Sequence, residues 1–318
     1  MASSHSSTTS LSRRALARDR ARTLRCAALL VAALGVAACA GRHKQEESPD
    51  GTSAADKHYD VAVGSFHNGM FEDAKLQLER ALAVDPKHAD SYYLRGVLLL
   101  HEGKTLIDAI EGEQCLADDA AEQQRTRARE LHRRAGEAFT AAAEHFDDGA
   151  AGRGRAYNSL AVVDLHFAAP EKAITHARKA LEQKFYSDRY SALANLGWAY
   201  YNAGDLVSAT SELRQAVLLN PDYCVGRYRL AQVYLEAGLT EQAIEQAATV
   251  VENSRCPIQD AHRVLGAARL RAGLDDDAKI AFESCVAIAP RSCLAVECQR
   301  LLGSDPSNDA ALADASAR

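Results

Sequence analysis

A motif that recurs every 34 to 35 residues constrains the fold of this 318-residue chain more than any other feature. A glycine followed five residues later by an alanine occurs at Gly69 and Ala74, and it returns as Gly204 with Ala209, Gly238 with Ala243, and Gly273 with Ala278. A period between about 20 and 50 residues is typical of architectures in which one small supersecondary unit is stacked on the next. We therefore expect a linear array of short units.

The copy between Tyr190 and Pro221 shows the pattern most completely. Its characteristic residues are Leu193, Leu196, Gly197, Tyr200, Gly204, Ala209, Leu213, Ala216 and Pro221. Small residues at Gly197 and Ala209 let two helices pack closely, and Gly204 allows a turn without a Cβ penalty. Pro221 ends the second helix because it cannot continue the hydrogen-bond ladder. The pattern therefore predicts a helix-turn-helix unit.

This spacing resembles the tetratricopeptide repeat. We count six repeats, which start near residues 55, 89, 154, 190, 224 and 259. The prediction is an all-α fold, a tetratricopeptide-repeat superhelical solenoid over residues 57–302, with about six helix-turn-helix repeats and a C-terminal capping helix from Cys293 to Leu302. Residues 303–318 are expected to form a disordered tail.

The second repeat is interrupted. Its first helix is predicted to end at Gly103, whereas the alanine that opens the second helix comes only at Ala135. About 27 residues, Lys104 to Glu130 (104–130), are therefore inserted, and their composition is rich in Ala, Glu, Arg and Gln. Two interpretations fit: an over-long helical hairpin, or a lever that adds contact surface.

The N-terminus has the features of a lipoprotein signal peptide. A basic segment comes first, with Arg13, Arg14, Arg18, Arg20, Arg22 and Arg25. The apolar run from Cys26 to Ala38 has 13 residues, which is short for a membrane-spanning helix of about 20. It ends in Val36–Cys39, which resembles a lipobox. We therefore expect residues 1–38 to be a signal peptide and Cys39 to be the lipid attachment site; an ordinary signal peptide with a chance cysteine is the alternative.

Residues 39–56 are polar and are expected to form a flexible tether. Ala40 stands where lipoproteins retained in the inner membrane carry Asp, so we expect the protein at the periplasmic face of the outer membrane. Without residues 1–38 the chain has 31 basic and 42 acidic residues, a net charge of −11. This balance argues against a nucleic-acid partner.

No sequence motif for catalysis is present. The chain lacks a phosphate-binding glycine loop, a His-Glu-x2-His segment and a Gly-x-Ser-x-Gly segment. A zinc site made of cysteines and His262 is disfavoured because no Cys-x2-Cys pair exists. We therefore expect no enzyme activity, no catalytic residue, no metal, no cofactor and no small-molecule substrate; an enzyme or a substrate-binding protein is the disfavoured alternative.

Six cysteines follow Cys39, an even number for an oxidising compartment. Stacking of the fifth and sixth repeats is expected to bring Cys224 and Cys256 to one edge. Cys285 faces the capping helix that carries Cys293 and Cys298. These five are the candidate disulfide cysteines, but their connectivity stays open, and buried free thiols are the alternative.

The first helix of each repeat is expected to line a concave groove. The positions that point into it are Tyr59, Phe66, Tyr93, Asn158, Val162, Leu165, Trp198, Tyr201, Asn202, Tyr228, Gln232 and Leu235. A groove so rich in aromatic residues is suited to bind a peptide or a segment of a partner protein, although some of the rings can instead pack between repeats. We expect alanine at Tyr201 or Tyr228 to weaken partner capture and to leave thermal stability almost unchanged.

The lipobox, the short tether and six repeats together resemble the PilF/Tgl-type pilotin lipoproteins of type IV pili. The likeness to the Tgl branch rests on Asn195–Tyr200, on Cys224–Ala231 and on Cys285, Cys293 and Cys298; the long insert departs from the PilF pattern. The resemblance implies a secretin subunit as partner, whose localisation and multimer assembly the protein promotes. The alternative is an adaptor for another envelope machine, such as cell-wall synthesis or outer-membrane protein assembly.

Overall fold

The computed structural model describes residues 52–303, which fold into 13 α-helices and one π-helical turn, with no strand in that range. The helices are α1 (Ala54–His67), α2 (Phe71–Val84), α3 (Ala89–Ile107), α4 (Asp119–His145), α5 (Ala151–His166), α6 (Pro170–Glu182), α7 (Arg189–Asn202), α8 (Leu206–Leu219), α9 (Cys224–Glu236), α10 (Thr240–Glu252), α11 (Gln259–Arg271), α12 (Asp275–Ile288) and α13 (Cys293–Gly303). The π-helical turn is Asp108–Gly112.

The predicted signal peptide (1–38), the lipid site Cys39 and residues 304–318 of the predicted tail lie outside the described residues. Helix α1 begins at Ala54, three residues before the predicted start of the solenoid at residue 57. The predicted tether therefore loses its last residues to the first repeat, because Ala55 already packs with no exposed surface.

Consecutive helices pair into six antiparallel-type hairpins, and α13 covers the last of them, which confirms the predicted solenoid. The first helices of adjacent repeats contact one another along the whole array, from α1 to α13, whereas the second helices lie further apart. Because stacked units curve toward the side where they approach most closely, the first helices line the concave face. We call this face the groove.

Small residues set the distance between the two helices of a hairpin. At Gly197 on α7, a Cβ atom would lie 2.7 Å from the Cγ atom of Leu213 and 3.1 Å from the carbonyl oxygen of Ala209, both on α8. Ala209 and Leu213 have no exposed surface. The two backbones therefore approach as closely as glycine allows.

The turn between the two helices of a repeat requires a left-handed residue. Gly204 has a φ of +81°, and glycines occupy the same place in the first, fifth and sixth repeats. In the third repeat the residue is Ala168, with a φ of +50°. An alanine in this region carries a steric cost that glycine does not.

In the second repeat, α3 extends past Gly103, where the repeat pattern places its end, as the interpretation of an over-long helical hairpin predicts. It continues to Ile107 and then through the π-helical turn, because Leu106 packs on the core around Phe139 and Ile110 is buried. Helix α4 begins at Asp119, capped by the side chain of Asp118. The insert therefore lengthens both helices of the hairpin and joins them by the short loop 113–118.

Six cysteines form three disulfides in the structure. Cys224 and Cys256 join neighbouring repeats, with their Cα atoms 5.5 Å apart, and Cys285 joins Cys298 on the capping helix. Cys293 pairs with Cys115 of the insert, with a Cα–Cα distance of 4.5 Å. The sequence interpretation had not assigned Cys115 to a disulfide, because nothing local to the insert shows where its tip lies.

Candidate partner-binding groove

A ladder of hydrogen bonds between amide and guanidinium groups links three first helices in the groove. Asn158 on α5 donates from Nδ2 to the Ser191 hydroxyl on α7 at 3.2 Å, and Asn195 donates from Nδ2 to Asn158 Oδ1 at 2.8 Å. Arg229 on α9 donates from Nη1 to Asn195 Oδ1 at 2.8 Å. Each member therefore holds the next repeat in register, and the ladder gives this part of the groove a defined polar surface.

Trp198 lies beside this ladder. Its ring stacks on Tyr201 with centroids 4.6 Å apart, and the guanidinium carbon of Arg229 lies 5.4 Å from its ring centroid. Both aromatic rings are partly exposed, and Asn202 beside them is exposed. Tryptophan, tyrosine and arginine are the side chains that contribute most often to protein interfaces, so this cluster is the part of the groove best suited to contact a partner.

Gln232 on α9 completes the cluster. Burial raises the pKa of Tyr201, and a hydrogen bond with Gln232 opposes that shift. The Oε1 atom of Gln232 is buried and has no hydrogen-bond partner in the protein. An unpaired buried acceptor costs free energy. Among the residues predicted to line the groove, Gln232 therefore has an acceptor atom left over for a hydrogen bond.

Tyr228 has a structural position. Its ring packs on the core of the last repeats, and its hydroxyl donates to Asp260 on α11. Burial raises its pKa well above the usual value, and the nearby charge of Asp260 adds to the shift. Arg263 pairs with the same carboxylate, donating from Nη2 to Oδ2 at 3.2 Å. For Tyr228 this position favours a loss of stability on replacement by alanine, in contrast to the expectation from the sequence, because the next repeat covers its ring.

The three N-terminal aromatic residues of the predicted set also pack between helices. Tyr59, Phe66 and Tyr93 are half-buried in the cores of the first three repeats. The ring centroids of Tyr93 and Phe139 lie 5.6 Å apart, and the guanidinium carbon of Arg155 lies 5.4 Å from the Tyr93 ring centroid. All six aromatic residues of the predicted set are thus partly buried, and Trp198 is the one among them that belongs to no hydrophobic core cluster of the described residues.

The sequence interpretation missed Asn195 and Arg229. Arg229 lies one position after Tyr228, which was expected to face the groove, and Asn195 lies 34 residues, one repeat, before Arg229. Asn195 is buried, and a buried polar side chain usually has a hydrogen-bond partner. Here the partner is Arg229, a polar residue one repeat later in the sequence. That spacing was the available signal.

Residues 52–303 contain neither a candidate metal site nor a candidate membrane span. No group of three or more His, Cys, Asp or Glu side chains there is arranged to hold a metal ion. None of the helices in this range combines the length and the apolar character that a membrane crossing requires.

Models of the tetratricopeptide repeat match three segments of the chain, residues 66–106, 190–223 and 228–292. No curated protein matches the sequence. These segments include the second helix of the first repeat and nearly all of the last three repeats, where the glycine turns are regular, whereas the interrupted second repeat is matched only up to residue 106.

Three solved structures have a similar fold. PilF of Pseudomonas aeruginosa is 18% identical, with a TM-score of 0.54 over 78% of this chain and 97% of PilF. PilW, described as a widely conserved type IV pilus biogenesis factor, is 17% identical, with a TM-score of 0.56 over 78% and 98%. The APC/C hetero-tetramer Cut9–Hcn1 is 15% identical, with a TM-score of 0.59 over 83% of this chain and 44% of that one.

At these identities the likeness concerns the fold. The repeat matches and the helix packing agree, because the matched segments fall on the helical hairpins whose first helices contact one another. Between residues 52 and 303, the chain is an all-α tetratricopeptide-repeat solenoid, a fold that serves as a scaffold for protein–protein interaction.

Proposed function

We propose that this protein is a non-enzymatic outer-membrane lipoprotein that binds the secretin subunit of a type IV pilus and promotes its localisation and multimer assembly. The observation that carries the proposal is the groove at repeats four and five, where the partly exposed rings of Trp198 and Tyr201 stack beside Arg229 on a hydrogen-bonded ladder. The pilus assignment is supported by the fold that the chain shares with PilW over 98% of PilW.

Scaffolding of this kind requires a surface that keeps its shape when the partner is absent. Arg229 is held by Asn195 and by the carbonyl oxygen of Ala194 at 3.2 Å, so its guanidinium does not have to be ordered on binding. Preorganisation lowers the entropic cost of association. The groove therefore favours a flexible secretin segment, which provides the conformational change while the solenoid stays fixed.

Anchoring at Cys39 forms part of the proposal. An acyl-modified cysteine would keep the groove at the periplasmic face, near the membrane where secretin multimers form, and two or more acyl chains would make that anchoring stable. Replacement of Cys39 by Ser should move the protein from the membrane fraction to the soluble periplasmic fraction and abolish labelling with radioactive palmitate. Retention of the label would contradict Cys39 as the lipid site.

The test of function is deletion of the gene, followed by separation of heat-resistant secretin multimers from monomers. We expect multimers to disappear while secretin monomer persists. Normal multimers in the deletion strain would overturn the secretin proposal and would favour an adaptor role in another envelope machine.

The groove is tested with purified variants of the lipoprotein. Trp198→Ala should weaken capture of purified secretin by roughly tenfold or more, as expected for a hot-spot residue. Phe185→Ala is the matched control, since Phe185 is 66% exposed and lies on the loop between α6 and α7. Equal secretin capture by both variants would contradict the assignment of the groove.

A further inference from the structure

The tip of the insert connects two distant parts of the array. Cys115, in the loop 113–118 of the second repeat, is disulfide-bonded to Cys293, the first residue of the capping helix α13. The backbone N–H of Cys115 also donates to the carbonyl oxygen of Arg291 at 2.8 Å. The two cysteines are 178 residues apart in sequence, with four complete repeats between them.

The insert is firmly attached to its own hairpin. Arg125 on α4 donates from Nε to Glu111 at 3.0 Å and from Nη2 to the carbonyl oxygen of Leu116 at 2.8 Å. Ile110 is only 4% exposed, and Asp118 caps the start of α4. A displacement of α13 is therefore transmitted to the second repeat through a short and rigid connection. We call residues 108–118 with the Cys115–Cys293 disulfide the brace.

The remaining extensive contacts within residues 54–303 join helices of the same or neighbouring repeats. In such a solenoid, small rotations between neighbours add up, so its curvature can change at little cost per interface. The brace connects the second repeat directly to the capping helix after the sixth, so that repeats two to six form a closed circuit of contacts. Because the first helices line the concave face, the groove lies on the inner side of this circuit.

We propose that the brace fixes the curvature of the groove and that the groove binds its partner segment in the braced form. The effect on the partner rests on the proposed function, whereas the effect on curvature does not. A groove of fixed curvature keeps the cluster on α7 and α9 at a constant distance from the repeats on either side, and an extended segment that contacts several repeats then meets preformed sites.

The brace is tested on the full-length lipoprotein in detergent micelles, with donor and acceptor fluorophores introduced as non-natural amino acids at exposed Asp73 on α2 and Lys279 on α12. Single-molecule energy transfer reports the distance between the first and last repeats. We expect one narrow population in the parent protein and a broader one in Cys115→Ser/Cys293→Ser. Arg125→Met, which retains the disulfide, should broaden it to a smaller extent.

The matched control is Cys224→Ser/Cys256→Ser, which removes a disulfide between neighbouring repeats and should leave the population narrow. Secretin binding to the unbraced variant should weaken about fivefold or more, the lower range of usual coupling effects, while circular dichroism retains its helical signal. The control should bind like the parent protein.

Each outcome has one meaning. An unchanged distance distribution in both Cys115→Ser/Cys293→Ser and Arg125→Met would overturn the brace. A broadened distribution with unchanged secretin affinity would overturn the link between curvature and binding. Failure of the parent protein to bind secretin would overturn the proposed function, and the energy-transfer result would still decide whether the brace exists.

Discussion

The hydroxyl of Tyr228 on α9 donates a hydrogen bond to the carboxylate of Asp260 at the start of α11, so the fifth and sixth repeats are joined along the groove. Arg263 pairs with the same carboxylate, and its Nη1 atom lies 3.8 Å from the Oε1 atom of Glu297 on α13. These side chains form a chain of charges and hydrogen bonds from α9 to the capping helix. Tyr228 therefore acts as a structural link at a position where the sequence suggested a partner contact.

Tyr228→Phe should lower the free energy of unfolding by about 1–3 kcal/mol, because Asp260 loses a neutral donor in a largely buried place. Tyr228→Ala should cost more, about 3–5 kcal/mol, since the ring also leaves a cavity. Urea unfolding followed by circular dichroism measures both changes. Tyr190→Phe is the control, and equal stability of Tyr228→Phe and Tyr190→Phe would contradict the link.

Gly197→Ala should be strongly destabilising. The new Cβ atom would lie 3.1 Å from the carbonyl oxygen of Ala209, and backbone atoms cannot move aside as a flexible side chain can. We expect a loss of about 1–3 kcal/mol, measured by thermal unfolding. Gly64→Ala on α1 is the matched control: nothing lies within 4 Å of its Cβ position, so alanine should stabilise the helix by about 0.5–1 kcal/mol. Similar losses in both variants would contradict the close packing.

Ala168→Gly should stabilise the protein. Ala168 has a φ of +50° at the turn of the third repeat, where the other described turns of this type use glycine. Relief of the left-handed strain, partly offset by glycine's greater freedom in the unfolded chain, should add about 0.5–1 kcal/mol. Ala203→Gly is the comparison, since Ala203 has a right-handed φ of −84°. A gain at Ala203 equal to that at Ala168 would refute the conformational explanation.

The rings of His132 and His166 stack with their centroids 3.8 Å apart at the base of the insert. Burial lowers the pKa of both imidazoles from 6.5, and for His166 the neighbouring His132 lowers it further. The unfolded chain therefore binds protons before the folded protein does. Stability should be complete above pH 6.5 and should fall as the pH drops through the lowered folded pKa values.

His166→Phe tests this pH dependence, because it retains a ring for stacking and removes one titrating group. Unfolding free energies measured by urea titration from pH 7.5 to 5 should fall less steeply in the variant. Above pH 7 the two curves should run parallel. Equal slopes below pH 6.5 would show that the histidine pair does not govern acid sensitivity.

Much of the fold is predictable from local spacing. Gly204, Ala209 and Pro221 mark a turn, a close helix contact and a helix end within one unit, so the repeat register and the six hairpins follow from neighbouring residues. The expected pairing of the two helices in each unit was confirmed for the same reason. Each repeat contacts its neighbours, and short-range patterns contain that information.

The candidate site was less predictable. The periodic positions identified Trp198 and Tyr201, whose rings stack in the groove, but they did not distinguish them from Tyr228, whose ring the next repeat covers. The periodic positions also did not include Arg229, whose place in the hydrogen-bond ladder depends on the position of Asn195 one repeat earlier. Exposure along a helix depends on the rotation between adjacent repeats, which spacing within one repeat does not contain.

The sequence by itself determined the repeat, its interruption and the number of cysteines. Only the tertiary structure decided that Cys115 meets Cys293. The position of the insert relative to the capping helix is the sum of the rotations across the intervening repeats, and a small change in any of them would separate the two cysteines. Such an accumulated curvature is a property of the packed array, and no single motif along the chain specifies it.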